Sequence, residues 1–546
     1  MTSFERILLF VMVVAVLAHL WLRKNQPKSL VWMSGSLFAL VLFLSAFLVP
    51  HVQSHSWAFM LTSSVFTATL LGSIMLYRLS PLHPLANYPG PFLCKVSKLW
   101  GAWIAWNGKP HVYYKSLHDK YGSIVRIGPN ELSIIDADMI PNILGSSGMP
   151  KGPMWEGRRL LPSKNFNRNN SLTSVRDFRR HAELRKPWDA AFKPTAMLNY
   201  EGMLTARAEQ LVDKLKELSR SESFGNIDMA LWLNYFTFGG VYSLMRDGDI
   251  DQVLLKMKRG VFLPSVSQHI PWLLGALRAI PLVGSDARAY GKFGVEQAKK
   301  RAALDDSILR KDLFYYLLES EPAETKASKI VSSALLAIVA GSDTTSSVFA
   351  NLFYFLLREP DYYRRLRAEI DVIHSPSDSN DTIDINSLAN LPFLNAVINE
   401  TLRLQPPILT GLQRSPVTGS GGKFLSADMF IPEGTAVLVS PYILHRCPRY
   451  FAPDPDRFWP DRWLSQDPNV VVDRSAYIPF STGPANCPGK PLAMVELRYV
   501  TCLIVRTFDM SFSEGFDHGE WEKSLVDRFI MLKGELPVRL TVREVC

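Results

Sequence analysis

Three apolar stretches open the chain, and the pattern of polar and apolar positions changes after them. Residues 7–22 (ILLFVMVVAVLAHLWL) carry one histidine, while residues 30–50 and 57–77 are each 21 long and contain no charged side chain. About 20 apolar residues span a bilayer as a helix, so the pattern predicts two full spans and a first one slightly short. The first stretch also has the look of a signal-peptide core, but no A-x-A-like cleavage site follows it and a second apolar run comes at once. For the other two, a pair of buried core helices is the alternative. Residues 78–91, with Leu79-Ser80-Pro81-Leu82-His83-Pro84 and Tyr88-Pro89-Gly90-Pro91, form a proline-rich stretch that resists helix and is expected to be a stiff hinge. No second linker of that kind interrupts residues 92–546, which are expected to form one large domain. Within it, residues 329–358 are apolar nearly all round, the pattern of a buried helix, and Pro360 closes them. Residues 394–404 predict a shorter helix ended by Pro406-Pro407. The run that starts at Lys490 is amphipathic and helical.

Charge orients the anchor. Arg23, Lys24 and Lys28 crowd the first loop, residues 51–56 have no Lys or Arg, and Arg78 follows the third stretch. Lys and Arg are retained on the cytoplasmic side, so the first loop and everything after Tyr77 are expected in the cytosol, with the N-terminus facing the lumen. The formal charge of +9 suits an anionic partner or a membrane surface. The basic residues are scattered and no binding motif accompanies them, so no nucleic-acid partner is expected. Five cysteines, at 94, 447, 487, 502 and 546, are too few, odd and dispersed to be a disulfide framework.

Four pieces carry chemistry. In Phe480-Ser-Thr-Gly483-Pro-Ala-Asn-Cys487-Pro-Gly489, two glycines flank a cysteine just before a helix start. Glycines allow positive φ and close approach of backbone to a flat ligand, and backbone N–H groups with the helix dipole stabilise a thiolate there. A lone cysteine in such a loop is more often structural; the three-part spacing argues otherwise. Ala340-Gly341-Ser342-Asp343-Thr344-Thr345 places an acid and hydroxyls inside the apolar 329–358 stretch, which is costly unless they have a role. The alternative is a kink whose hydroxyls are satisfied by the preceding turn. Glu400 and Arg403 stand at i and i+3, usually a weak surface pair. The proline-rich Pro455-Asp-Arg-Phe458-Trp-Pro460-Asp461-Arg462-Trp463 offers an arginine to share Glu400.

In order and spacing these pieces resemble the motifs of the cytochrome P450 family, from about Tyr88 to the C-terminus, and are most similar to membrane-bound fungal members. The resemblance implies a mainly α fold with small β-sheets (α+β) behind a transmembrane anchor. It implies haem b, with Cys487 as the axial thiolate and Phe480, Gly483 and Gly489 shaping its loop. Asp343 and Thr344 would deliver protons during oxygen activation. Glu400, Arg403 and Arg462 would hold the core together. His181, Arg185 and Arg414 match positions that reach a haem propionate; the alternative for His181 and Arg414 is an ordinary surface residue. The implied activity inserts one atom of O2 into a lipophilic small molecule, by hydroxylation or epoxidation, in secondary metabolism such as terpenoid biosynthesis. Electrons would come from NADPH through a membrane-bound flavoprotein reductase, at the endoplasmic reticulum membrane.

Three departures from the family pattern stand out. Ser481 replaces the usual first glycine, Ala485 stands where a propionate-binding arginine or histidine is common, and Pro488 removes the first N–H after the cysteine. Cys447 is a rival thiol but lacks flanking glycines. Two other functions stay open at this point: a haem-thiolate isomerase without oxygen activation, which the intact Asp343-Thr344 pair argues against, and a non-catalytic haem- or lipid-binding membrane protein.

Overall fold

The computed structural model describes residues 2–25, 30–158, 172–220, 226–238, 244–249, 252–273, 280, 284–302, 311–318, 323–373 and 383–543. Lys28 and Cys546 lie outside the described residues.

The three apolar stretches form helices Ser3–Lys24, Leu30–Ala46 and His55–Leu79. The lengths of the first two reverse the ranking expected from sequence. The first reaches 22 residues because a capping box between Thr2 and Glu5 starts it early and Arg23 and Lys24 extend it. At 1.5 Å per residue it is about 33 Å long, enough for a hydrocarbon core of about 30 Å. The second has 17 residues, about 25 Å, four fewer than the apolar stretch of the sequence and at the lower limit of a span. Pro50 explains the break: its ring clashes with the carbonyl four residues earlier, at Ala46, and it lacks an N–H. A one-turn helix, Val49–Val52, follows. The third, capped by Ser54, has 25 residues. Val11, Ala15, Val41, Leu44, Phe66 and Leu70 pack the three together, while Phe10, Leu17, Trp32, Trp57 and Leu76 point outward. Large apolar side chains on the outside suit a membrane anchor.

The proline-rich stretch is stitched to the domain behind it. The buried Arg126 donates to the carbonyls of Arg78 and Leu85, and its own N–H bonds Pro89 O at 2.7 Å. Gly90 must be glycine, since a Cβ there would lie 2.2 Å from Arg126 O.

The domain is mainly helical with small sheets, as the resemblance implies. Its centre is helix Ala323–Arg358, which ends where Pro360 opens the next helix, Pro360–Ile373. Phe349, Phe353 and Leu356 of the central helix join Leu394, Val397 and Ile398 of helix Pro392–Leu404 and Val500 and Ile504 of helix Lys490–Thr507 in the main core. Phe355 stacks on Phe458, with ring centroids 4.5 Å apart; burying such a side chain contributes about 2–3 kcal/mol. A second core lies under a four-stranded sheet in the order Ile124–Gly128, Glu131–Ile134, Ala436–Val439, Leu412–Arg414. Its middle pair is parallel and the outer pairs antiparallel. Phe508–Phe512, Pro537–Val542 and Asn226–Asp228 make a three-stranded sheet, and Val526–Arg528 with Ile530–Leu532 make a hairpin.

Candidate active site: the cysteine loop and the central helix

The cysteine loop closes on itself through Cys487 N–H to Phe480 O, 2.9 Å. Gly483 has φ +73, and a Cβ there would lie 2.2 Å from Leu144 O, so no other residue fits. Ser481, in place of the usual glycine, adopts φ +59, a conformation that costs a non-glycine residue about 1 kcal/mol or more. Its hydroxyl is buried with no partner among the described residues.

Cys487 itself is exposed, in contrast to Cys94 and Cys502, which are buried. Burial of its surroundings pushes its thiol up, while the backbone N–H groups of Gly489 and Lys490 and the charge of Arg185 pull the other way. With Pro488 supplying no N–H, the donors to sulfur come from the two residues after it. Gly489 is the N-cap of helix Lys490–Thr507, with Pro491 in the first turn, so the positive end of that helix faces the sulfur.

The central helix turns its polar residues to different sides. Asp343, Thr345, Ser346 and Ser347 are buried, whereas Ala340 and Gly341 are exposed and Thr344 half-exposed. A Cβ on Gly341 would meet nothing within 4 Å. The Thr344 hydroxyl donates to Ala340 O, the local satisfaction that the alternative reading described. Asp343 is different: one carboxylate oxygen is buried with no hydrogen-bond partner among the described residues. Burial raises its pKa to about 6 against the opposing pull of Lys533 and Lys258. Lys533 is itself buried, donating to Asn234 Oδ1 at 3.0 Å and Ser346 Oγ at 2.9 Å.

Glu400, Arg403 and Arg462 do converge, and their side chains are fully buried. Arg403 grips Glu400 with two bonds of 2.8 Å, and Arg462 Nε lies 3.5 Å from Glu400 Oε1. Trp459 N–H (2.9 Å) and Trp463 Nε1 (3.0 Å) also donate to Glu400, and Arg403 donates to His445 O.

His181 and Arg414 are 8% and 4% exposed, so neither is an ordinary surface residue. Arg185 bonds Asp189 Oδ1 at 2.6 Å and directs its two terminal nitrogens to the carbonyl and side chain of Asn486, next to Cys487. Lys151, which carries no motif, joins them: it pairs with Arg414 through a β-bridge. Burial, then the charges of Lys151, Arg185 and Arg414, depress His181 to about 4. No carboxylate pairs with Lys151, His181 or Arg414 among the described residues. Lys151 and Arg414 are thus buried cations without counter-ions, which is costly, so the pair calls for an anionic ligand. A flat dianionic haem fits: cations for its carboxylates, a reachable sulfur with converging donors for its iron, and a helix face opened by Gly341.

Known proteins resemble this chain over most of its length. A family model described as Cytochrome P450 matches residues 89–519. A cytochrome P450 monooxygenase, phqL, of Penicillium fellutanum is 32% identical over 496 residues, covering 88% of this chain and 83% of the relative. Cytochrome P450 67 of Uromyces fabae is 30% identical over 554 residues, 96% of this chain and 97% of the relative. The tryprostatin B 6-hydroxylase of Aspergillus fumigatus is 32% identical over 498 residues, 88% and 85% respectively. With a family model spanning residues 89–519 and relatives 30–32% identical over most of its length, the chain belongs to the cytochrome P450 family.

Proposed function

We propose that this monooxygenase hydroxylates or epoxidises a lipophilic secondary metabolite, taking electrons from NADPH through a membrane-bound flavoprotein reductase. The name tryprostatin B 6-hydroxylase, borne by one relative, supports hydroxylation as the reaction. Haem held by a cysteine thiolate supplies the oxygen chemistry, the thiolate pushing electron density that favours O–O cleavage. In this chain Cys487 would hold the iron, Phe480, Gly483 and Gly489 would shape its loop, and His181, Arg185 and Arg414 would meet the propionates.

The observation that carries the reading is the division of labour along one helix turn. Thr344 stands toward the open face with its hydroxyl, and Asp343 stands behind it with an unpartnered carboxylate oxygen. A carboxyl with a pKa of about 6 gives and takes protons near neutral pH. Thr344 then holds the proton at the open face and Asp343 resupplies it from the Lys533 side. Thr344→Ala is expected to keep haem and substrate binding but to uncouple turnover, so that NADPH consumption exceeds product and peroxide accumulates. A hydroxyl that only satisfies Ala340 predicts unchanged coupling, and that result would end the proton-delivery role.

The anchor, residues 1–77, is read as multi-pass in the endoplasmic reticulum membrane, followed by the connector 78–91 and a cytosolic catalytic domain from 92 to 546. Arg23 and Lys24 close the first helix and Arg78 lies in the last turn of the third, so both ends share the cytosolic side and the stretch between them crosses once each way. A glycosylation acceptor inserted in residues 51–56 is expected to be modified and one in residues 23–28 is not; the reverse pattern would overturn the orientation.

A further inference from the structure

We propose that Lys151 is a haem-propionate ligand of this chain, supplying from a separate element the cation that Ala485 does not. The inference rests on the haem-thiolate reading above. Two carboxylates are best met by two unengaged cations, and the motif residues, although all three can donate to a propionate, supply only one. Arg185 is committed to Asp189 and Asn486. His181 is neutral near pH 7, with its pKa at about 4. Arg414 remains as the one motif cation with no acidic partner among the described residues.

Lys151 is placed to be the second. The Met149–Gly152 region lies flush against strand Leu412–Arg414, with Ser415 N–H bonding Pro150 O and Gly152 N–H bonding Gln413 O, both at 3.0 Å. Gly152 permits this approach, since a Cβ would fall 2.3 Å from Gln413 Oε1. The bridge sets Lys151 directly opposite Arg414. Directly opposed residues project from the same face with Cβ atoms about 5 Å apart, and like charges so placed repel. Both side chains are also buried, Lys151 at 8% and Arg414 at 4% exposure. An arrangement this unfavourable persists when an anion lies between the two charges. Lys151 Nζ donates to Leu172 O, which uses one of its three N–H bonds. Burial, then Arg414 and Arg185, lower its pKa to about 7; a carboxylate beside it would raise that again and hold it charged.

The bland account of Lys151 is a structural tie to Leu172. Purified full-length holoprotein distinguishes the two through haem content and the rate of haem transfer to excess apomyoglobin. K151M is expected to lose haem about tenfold faster, the equivalent of one charge-assisted hydrogen bond, and K151R to stay within about twofold of wild type. K151M/A485R is expected to recover, because arginine at 485, where the family commonly has a propionate-binding cation, restores the missing charge. A wild-type rate in K151M would overturn the proposal. So would a fast or misfolded K151M that A485R leaves unrescued, since a cation at 485 cannot replace a tie to Leu172. Absence of the thiolate-type carbon monoxide spectrum in the wild type would instead overturn the haem reading beneath it.

Discussion

Cys487→Ala is expected to abolish the thiolate-type absorption of the reduced carbon monoxide complex, while Cys447→Ala leaves it intact. The loss should be complete rather than partial, because no other described thiol combines access with stabilising donors. Cys94 and Cys502 are closed inside the cores, at 1% and 0% exposure. Cys447 is half-buried against the sheet-side core, in a turn after Leu444. Among the described cysteines, only at Cys487 do two backbone N–H groups and an arginine converge on sulfur. Anionic sulfur needs those donors, since a buried thiolate without them reverts to thiol. The measurement is the carbon monoxide difference spectrum of each variant, read beside its haem content. A retained thiolate band in Cys487→Ala would sink the assignment of the ligand.

How much of this was legible in the sequence depended on distance along the chain. The cysteine loop was readable because its geometry is local: Gly483, Cys487 and Gly489 sit within one turn of backbone, and a φ of +73 at Gly483 leaves no choice of residue. The Glu400–Arg403 pair follows from i, i+3 spacing on a helix, and Arg462 was reached by adding the proline-rich segment to it. What the sequence hid is what the fold brings together from afar. Lys533 bonds Ser346 across 187 positions and Arg185 bonds Asn486 across 301, and neither partnership leaves a local pattern. Lys151 sits in no motif, and only its bridge to Arg414 reveals it. The second anchor helix ends short of its apolar stretch for a local reason: Pro50 carries no charge to mark a boundary, but the backbone treats it as a stop. Ser481 shows the converse, a family glycine lost while its backbone conformation is kept, at φ +59.

Glu400→Gln is expected to destabilise the fold by about 3–5 kcal/mol, the cost of breaking a buried ion pair. Native domains are stable by only about 5–15 kcal/mol, so a loss of this size lowers the melting temperature steeply and reduces the yield of haem-loaded protein. The reason lies in the donors. Glu400 accepts from Arg403 twice, from Trp463 Nε1 and from Trp459 N–H, with Arg462 alongside. Glutamine keeps the shape but replaces one acceptor oxygen with an NH2 that faces other donors, and it leaves two buried guanidiniums without a counter-charge. Removing a partner is worse than removing the pair. Glu400→Leu combined with Arg403→Met is therefore expected to recover part of the loss, although Arg462 still lacks its acid. The contrast is Asp361→Asn, which breaks a pair with Arg364 whose side chains are 84% and 75% exposed. Solvent screens that pair, and its loss is expected to cost under about 1 kcal/mol. Thermal melts of the three variants, followed by circular dichroism and by the haem absorption together, check the order. A Glu400→Gln melt that matched Asp361→Asn would show that the buried cluster does not hold the core together.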